Sequence, residues 1–173
     1  MFRAAAAGDI PAVASIYEEI VALEASGGRT GWLPGVYPTG DTAAAALGRG
    51  ELFVYEEEGA VLAAGILNQT QVDVYAQGDW RYPAPPQEVM VLHTLVVSPR
   101  AAGRGLGSRF VGFYEDYARA HGCTVARLDT NALNAPARGL YGKLGYREAG
   151  VVLCDFNGIP GVRLVLLEKR LLP

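Results

Sequence analysis

Gly103, Gly105 and Gly107 alternate with Arg104 and Leu106 inside the stretch Val97 to Tyr117, VSPRAAGRGLGSRFVGFYEDY. An apolar run ends at Val97 and Pro99 follows it. From Leu106 onward, Leu106, Phe110, Phe113, Tyr114 and Tyr117 recur at spacings of three and four. That spacing predicts a helix opening directly from the glycine turn. The first amides of such a helix have no partner within it, and its dipole is positive there. Glycine lets the backbone approach a phosphate with no Cβ in the way. Residues 102 to 108 are therefore expected to hold a phosphorylated ligand. The bland alternative is a tight strand-to-helix turn with no ligand.

Other elements must position this turn. Phe2 to Ala5 reads as a short strand, and Asp9 as the N-cap of a helix with Pro11 in its first turn. The apolar stripe of that helix is Val13, Ile16, Tyr17, Ile20, Val21 and Leu23, and Gly27-Gly28 ends it. Residues 29 to 40 form an aromatic loop with Trp32 and Tyr37. Thr39 or Asp41 caps a short helix, Thr42 to Leu47. Leu52 to Tyr55 and Ala60 to Asn68 form a hairpin. Residues 70 to 87 form a Pro-containing loop, with a short strand extension at Val72 to Tyr75. Trp80 and Tyr82 also lie in it. Glu88 to Ser98 is nearly continuous in apolar residues, the pattern of a central strand buried on both faces. After the glycine turn and its helix come a strand (Thr124 to Thr130), a short helix that Asn134 can cap, and a closing hairpin. Its arms are Val151 to Phe156 and Val162 to Leu167. Meandering strands followed by strand–helix alternation predict an α/β (α+β) fold: a mixed sheet with helices on both faces.

The 173 residues are expected to form a single domain, residues 1–173. Hydrophobic residues at 50% and charged residues at 19% argue against a disordered chain. The net charge of -3 argues against nucleic acid as a partner. No apolar run reaches the roughly 20 residues of a membrane helix, so no membrane partner is expected. The Ala-rich start does not read as a signal peptide. Cys123 and Cys154 are not in metal spacing, and no metal site is expected. A reduced, cytoplasmic protein is the default.

The nucleotide-binding fingerprints fail on this turn. A P-loop needs Gly-Lys-Ser/Thr, but Ser108 and Arg109 follow Gly107. The dinucleotide pattern Gly-x-Gly-x-x-Gly fails because Ser108 stands where its third glycine belongs. What the turn does resemble is the acyl-CoA-binding motif of the GNAT superfamily of N-acetyltransferases, Gln/Arg-x-x-Gly-x-Gly/Ala. Here the motif falls on Ala102, Gly103, Arg104, Gly105, Leu106 and Gly107. Ala102 departs from it at the first position; Arg100 offers a charge two residues earlier. A second stretch resembles the family's downstream motif, on Asn134, Ala137, Leu140, Tyr141, Gly145 and Tyr146. Tyr37-Pro38 and Leu167-Glu168-Lys169 extend the likeness toward a small-molecule branch. The resemblance covers most of the chain and is strongest from residue 90 to 150.

The resemblance implies a mostly antiparallel, twisted sheet of six to seven strands. It also implies acetyl-CoA (coenzyme A) and direct acetyl transfer to the primary amine of a small molecule. Amides of residues 103 to 108, including Ser108, would hold the pyrophosphate. The strand edge at Leu95, Val96 and Val97 would pair with the pantetheine arm. Asn134 would contact the cofactor, act as a helix cap, or do both. Tyr141 would protonate the leaving thiolate; read from its own position, it could equally pack in the core. His93 is the candidate general base, since a neutral imidazole near pH 7 suits that work. Simple alternation puts it on one face with Val91 and Leu95. Its bland reading is a half-buried strand histidine, and Glu88 is the fallback. Trp32, Tyr37, Tyr75, Trp80 and Glu88 are expected to wall the acceptor pocket, with Tyr82 nearby. Three alternatives remain: a non-catalytic acyl-CoA sensor, a protein or peptide N-acetyltransferase, and a nucleotide-binding regulator. The strand carrying Cys154 and the final hairpin offer an edge for a homodimer.

Overall fold

The computed structural model describes residues 1–24 and 28–172. Its elements in chain order are β1 (Phe2–Ala4), α1 (Ile10–Glu24), α2 (Gly40–Gly48), β2 (Leu52–Glu57), β3 (Ala60–Asn68) and β4 (Val89–Val97). They continue with α3 (Leu106–Ala120), β5 (Val125–Asn131), α4 (Ala135–Lys143), β6 (Arg147–Phe156) and β7 (Ile159–Arg170). The element order is the one expected. The strands form one seven-stranded sheet in the order β1-β2-β3-β4-β5-β7-β6. Every neighbouring pair is antiparallel except β4 and β5, the pair that brackets α3.

Alternation along the strands divides the core. Phe53, Met90, Leu92, Leu128 and Leu167 turn to one face, where α3 and α4 cover them with Leu106, Phe110, Tyr114 and Tyr141. Leu52, Val54, Ile66 and Val96 turn to the other, beneath Val13, Ile16 and Tyr17 of α1 and Ala43 and Ala46 of α2. On that second face the loop after β3 covers the rest of the sheet, packing Tyr75 on Val89, Val91, Val125, Leu164 and Leu166. Burying each large side chain such as Phe110 contributes about 1.5–3 kcal/mol.

Several expectations are corrected. Asp9 is not the N-cap: it closes a short 3-10 turn, Ala7–Asp9, and its carboxylate accepts from Ala6 N at 2.7 Å while pairing with Arg3. Leu23 is exposed at 59%, so the α1 stripe ends at Val21. Gly27 lies outside the described residues. Val72 to Tyr75 is not a strand; a 3-10 turn occupies Asp73–Gln77, which lets Tyr75 turn inward. The closing hairpin is longer than its apolar runs suggested. Asn157 and Gly158 both take positive φ, the two-residue turn that matches strand twist. β6 is an edge strand with Val151 and Leu153 exposed.

Candidate active site

Two irregularities open the middle of the sheet. β4 and β5 pair only as far as Leu92 opposite Leu128, and no ladder continues beyond them. On the other side of β4 the register jumps: Ala64 opposes Val96 while Ile66 opposes His93. Gly65 alone therefore faces Thr94 and Leu95, a β-bulge in which Thr94 takes a positive φ of 51°. Thr94 Oγ1 and Tyr37 Oη share a hydrogen bond that ties the aromatic loop to the bulge. The bulge re-aims the strand. Leu95 and Val97 join the α3 face, whereas His93 stays on the opposite face with Asn68. The expected grouping of His93 with Leu95 is thus overturned.

A cavity of about 760 Å³ passes through this split. On the α3 side it is lined by Leu95, Val97, Ala102, Gly103, Gly105, Leu106, Gly107 and Ser108, and by Asn134 and Tyr141 of α4. Gly103 and Gly105 take φ of 77° and 70°, a conformation that disfavours a Cβ. Among the described residues, no protein acceptor takes the N–H groups of residues 103 to 108. Six consecutive free donors at a helix N-terminus suit a pyrophosphate. Val96 turns its side chain to the α1–α2 core. Arg104 does not line the cavity, because its guanidinium pairs with Glu57 at 2.5 Å. Arg100 pairs with Glu19, so it does not replace the charge missing at Ala102. Asn134 caps α4 by accepting from Ala137 N at 3.2 Å and borders the cavity as well. Burial pushes the Tyr141 phenol above its ordinary pKa, and Asp129 adds to the shift. It is thus held protonated.

Trp32, Tyr37, Val72, His93 and Phe156 line the other side. Asn68 donates to Glu51 and accepts from Thr70 N, which fixes its Oδ1 toward His93 Nε2 at 2.8 Å. Nε2 is therefore the protonated nitrogen of a neutral ring. Burial lowers the His93 pKa to about 4, partly opposed by Glu51. Tyr75 is buried and stands behind the wall, donating to Asp129 Oδ2 at 2.7 Å. Trp80 is further out, stacked on the Arg127 guanidinium at 4.1 Å. Tyr82 accepts from Arg127 through its backbone. Glu88 is at the opposite end of β4, bonded to Thr124 Oγ1, and lies outside the cavity.

Sequence reasoning missed Asp129. It lies on β5 facing the cavity, and burial raises its pKa to about 6. The signal was a carboxylate inside the apolar strand pattern TVARLDT. Among the described residues no group of three His, Cys, Asp or Glu side chains could hold a metal, and no helix is long and apolar enough to cross a membrane.

The acetyltransferase (GNAT) family model matches residues 17–146, from the middle of α1 to the residue before β6. The chain belongs to the GNAT family. The uncharacterized N-acetyltransferase YhfO of Bacillus subtilis (strain 168) is 36% identical over 62 residues, which are 36% of this chain. The match spans 42% of that relative's length. A GNAT-family acetyltransferase from Streptococcus agalactiae 2603 superposes with a TM-score of 0.81 at 22% identity, covering 98% of this chain and 94% of that one. An N-acetyltransferase from Staphylococcus aureus Mu50 gives 0.73 at 22% identity, covering 99% and 98%. The yncA protein of Salmonella typhimurium, solved with its cofactor acetyl-CoA, gives 0.72 at 21%, covering 100% and 94%. These likenesses establish the GNAT fold.

Proposed function

We propose that this GNAT protein transfers the acetyl group of acetyl-CoA to the primary amine of a small molecule, directly and with no acyl-enzyme. The observation that carries the reading is the cavity through the β4–β5 split. A row of free amides lies at one end and an aromatic chamber at the other. The yncA structure with its cofactor acetyl-CoA supports the choice of donor.

The residues fit that donor. A Cβ at Gly107 would come within 3.2 Å of Leu140 Cδ2, so glycine there keeps the helix start close to α4. Amides 103 to 108 would hold the pyrophosphate, and the unpaired edge of β4 at Leu95 to Val97 would align the arm. Bound acetyl-CoA supplies an activated acetyl thioester; overall, a C–N bond replaces the C–S bond and sulfur gains a proton. Tyr141 holds a proton on the same cavity and is the acid for that sulfur, whose conjugate thiol has a pKa of about 8.5 in the cysteine model. His93 is a neutral imidazole across the split. With a pKa near 4 it is a weaker base than its residue type implies.

The test has two stages. Acetyl-CoA titrated into the protein should bind saturably, and free thiol should appear when an amine panel is added. Thiol release with no amine of the panel would reduce the protein to an acyl-CoA sensor. A preference for peptide N-termini would make it a peptide acetylase. Absence of acetyl-CoA binding would sink the reading.

A further inference from the structure

We propose that Asp129 is the anchor for the acceptor's ammonium group, and that the acceptor is an apolar-tailed amine without a carboxylate. This rests on the acetyltransferase reading above. Asp129 Oδ2 takes the Tyr75 hydroxyl at 2.7 Å. Among the described residues nothing donates to Oδ1, and the residue borders the cavity. The other titratable groups around it are the Tyr37, Tyr75 and Tyr141 phenols, the Cys154 thiol and the His93 imidazole, and near neutral pH all are held neutral. Among the described residues no Lys or Arg lines the cavity. A half-buried carboxylate with no cation opposite it is unfavourable, and a ligand cation offsets that cost.

The cavity lining also sets the tail. Trp32, Tyr37, Val72, Phe156, Ile159, Val162 and Leu164 surround the chamber, and the cation-free lining leaves an acceptor's own carboxylate unpaired. A decarboxylated arylalkylamine satisfies the site; the parent amino acid does not. The bound ammonium gives one proton to Oδ1, leaving a neutral amine and a neutral carboxyl, and Asp129 returns that proton to solvent after the product leaves. Burial raises its carboxyl to about 6, which makes it a better acceptor for this proton than His93.

The experiment compares phenethylamine with phenylalanine and tryptamine with tryptophan. Calorimetry without acetyl-CoA should show the amines binding at least about tenfold more tightly, and kcat/KM should follow the same order. Asp129→Asn should lower kcat/KM for the amines by about 10²-fold or more and abolish their calorimetric binding, with acetyl-CoA affinity unchanged. Tyr75→Phe removes a donor that lowers the Asp129 pKa, so the acidic limb of kcat/KM should move to higher pH. Equal or better use of the amino acids overturns the proposal. So does amine binding that survives Asp129→Asn, or an unmoved limb in Tyr75→Phe. If acetyl-CoA itself does not bind, the failure belongs to the underlying acetyltransferase reading.

Discussion

At the scale of single residues, Tyr141 and His93 separate two kinds of control. Replacing Tyr141 by Phe keeps the ring in its pocket against Tyr146 and removes the proton proposed for sulfur. A fall in kcat of about 10²-fold is expected with unchanged acetyl-CoA affinity, measured by thiol release and calorimetry. His93 is neutral above about pH 5. The ratio of wild-type to His93→Gln rates should therefore be flat from pH 6 to 9; a ratio that changes around pH 6.5 would assign it an ordinary titrating role. Asp129 also writes itself into stability. Its folded pKa is raised above the unfolded value of 3.8, so the native state holds the extra proton. Its contribution to stability is present below pH 3.8 and lost as pH rises through about 6. Ligand-free Asp129→Asn should exceed the wild type at pH 7 by on the order of 1–3 kcal/mol, a gap that closes by pH 4 in thermal unfolding. Tyr141 could be singled out from its motif. Asp129 could not, because its surroundings arise only when Tyr75, 54 positions away, folds over it.

The bulge in β4 belongs to the scale of elements. Its necessary partner is Gly65 on β3, where a Cβ would meet Phe110 Cε1 at 2.8 Å and Leu92 Cδ1 at 3.1 Å. Gly65→Ala should push Phe110 and the start of α3 outward. The expected cost is about 1–3 kcal/mol in urea unfolding, together with weaker acetyl-CoA binding, since Phe110 is one turn from Leu106. The order of strands and helices was legible because each apolar run had the period of its element. The bulge was not: Thr94 is β-branched and reads as ordinary strand, although its φ of 51° is costly for such a residue. That one residue reverses which face Leu95 shares, and with it the expected geometry of His93.

Over the whole molecule, residues remote in the chain assemble the chamber. Glu168 on β7 is fully buried and accepts from Arg81 N at 2.6 Å, Tyr82 N at 3.3 Å and Arg147 at 2.9 Å. It pins the loop that carries Val72 and Tyr75. Glu168→Ala strips acceptors from those groups and should cost about 2–4 kcal/mol. It should also expose residues 70–87 to limited proteolysis and weaken amine use more than acetyl-CoA binding. The β4–β5 split has a further consequence for the order of events. Its lining comes from both faces of one sheet, so the proposed donor and acceptor would sit on opposite sides of it. A ternary complex can then form in either sequence, and initial-velocity plots at varied donor and acceptor should intersect. Parallel lines would mean that the first product departs before the second reactant arrives, which a two-sided passage has no need of.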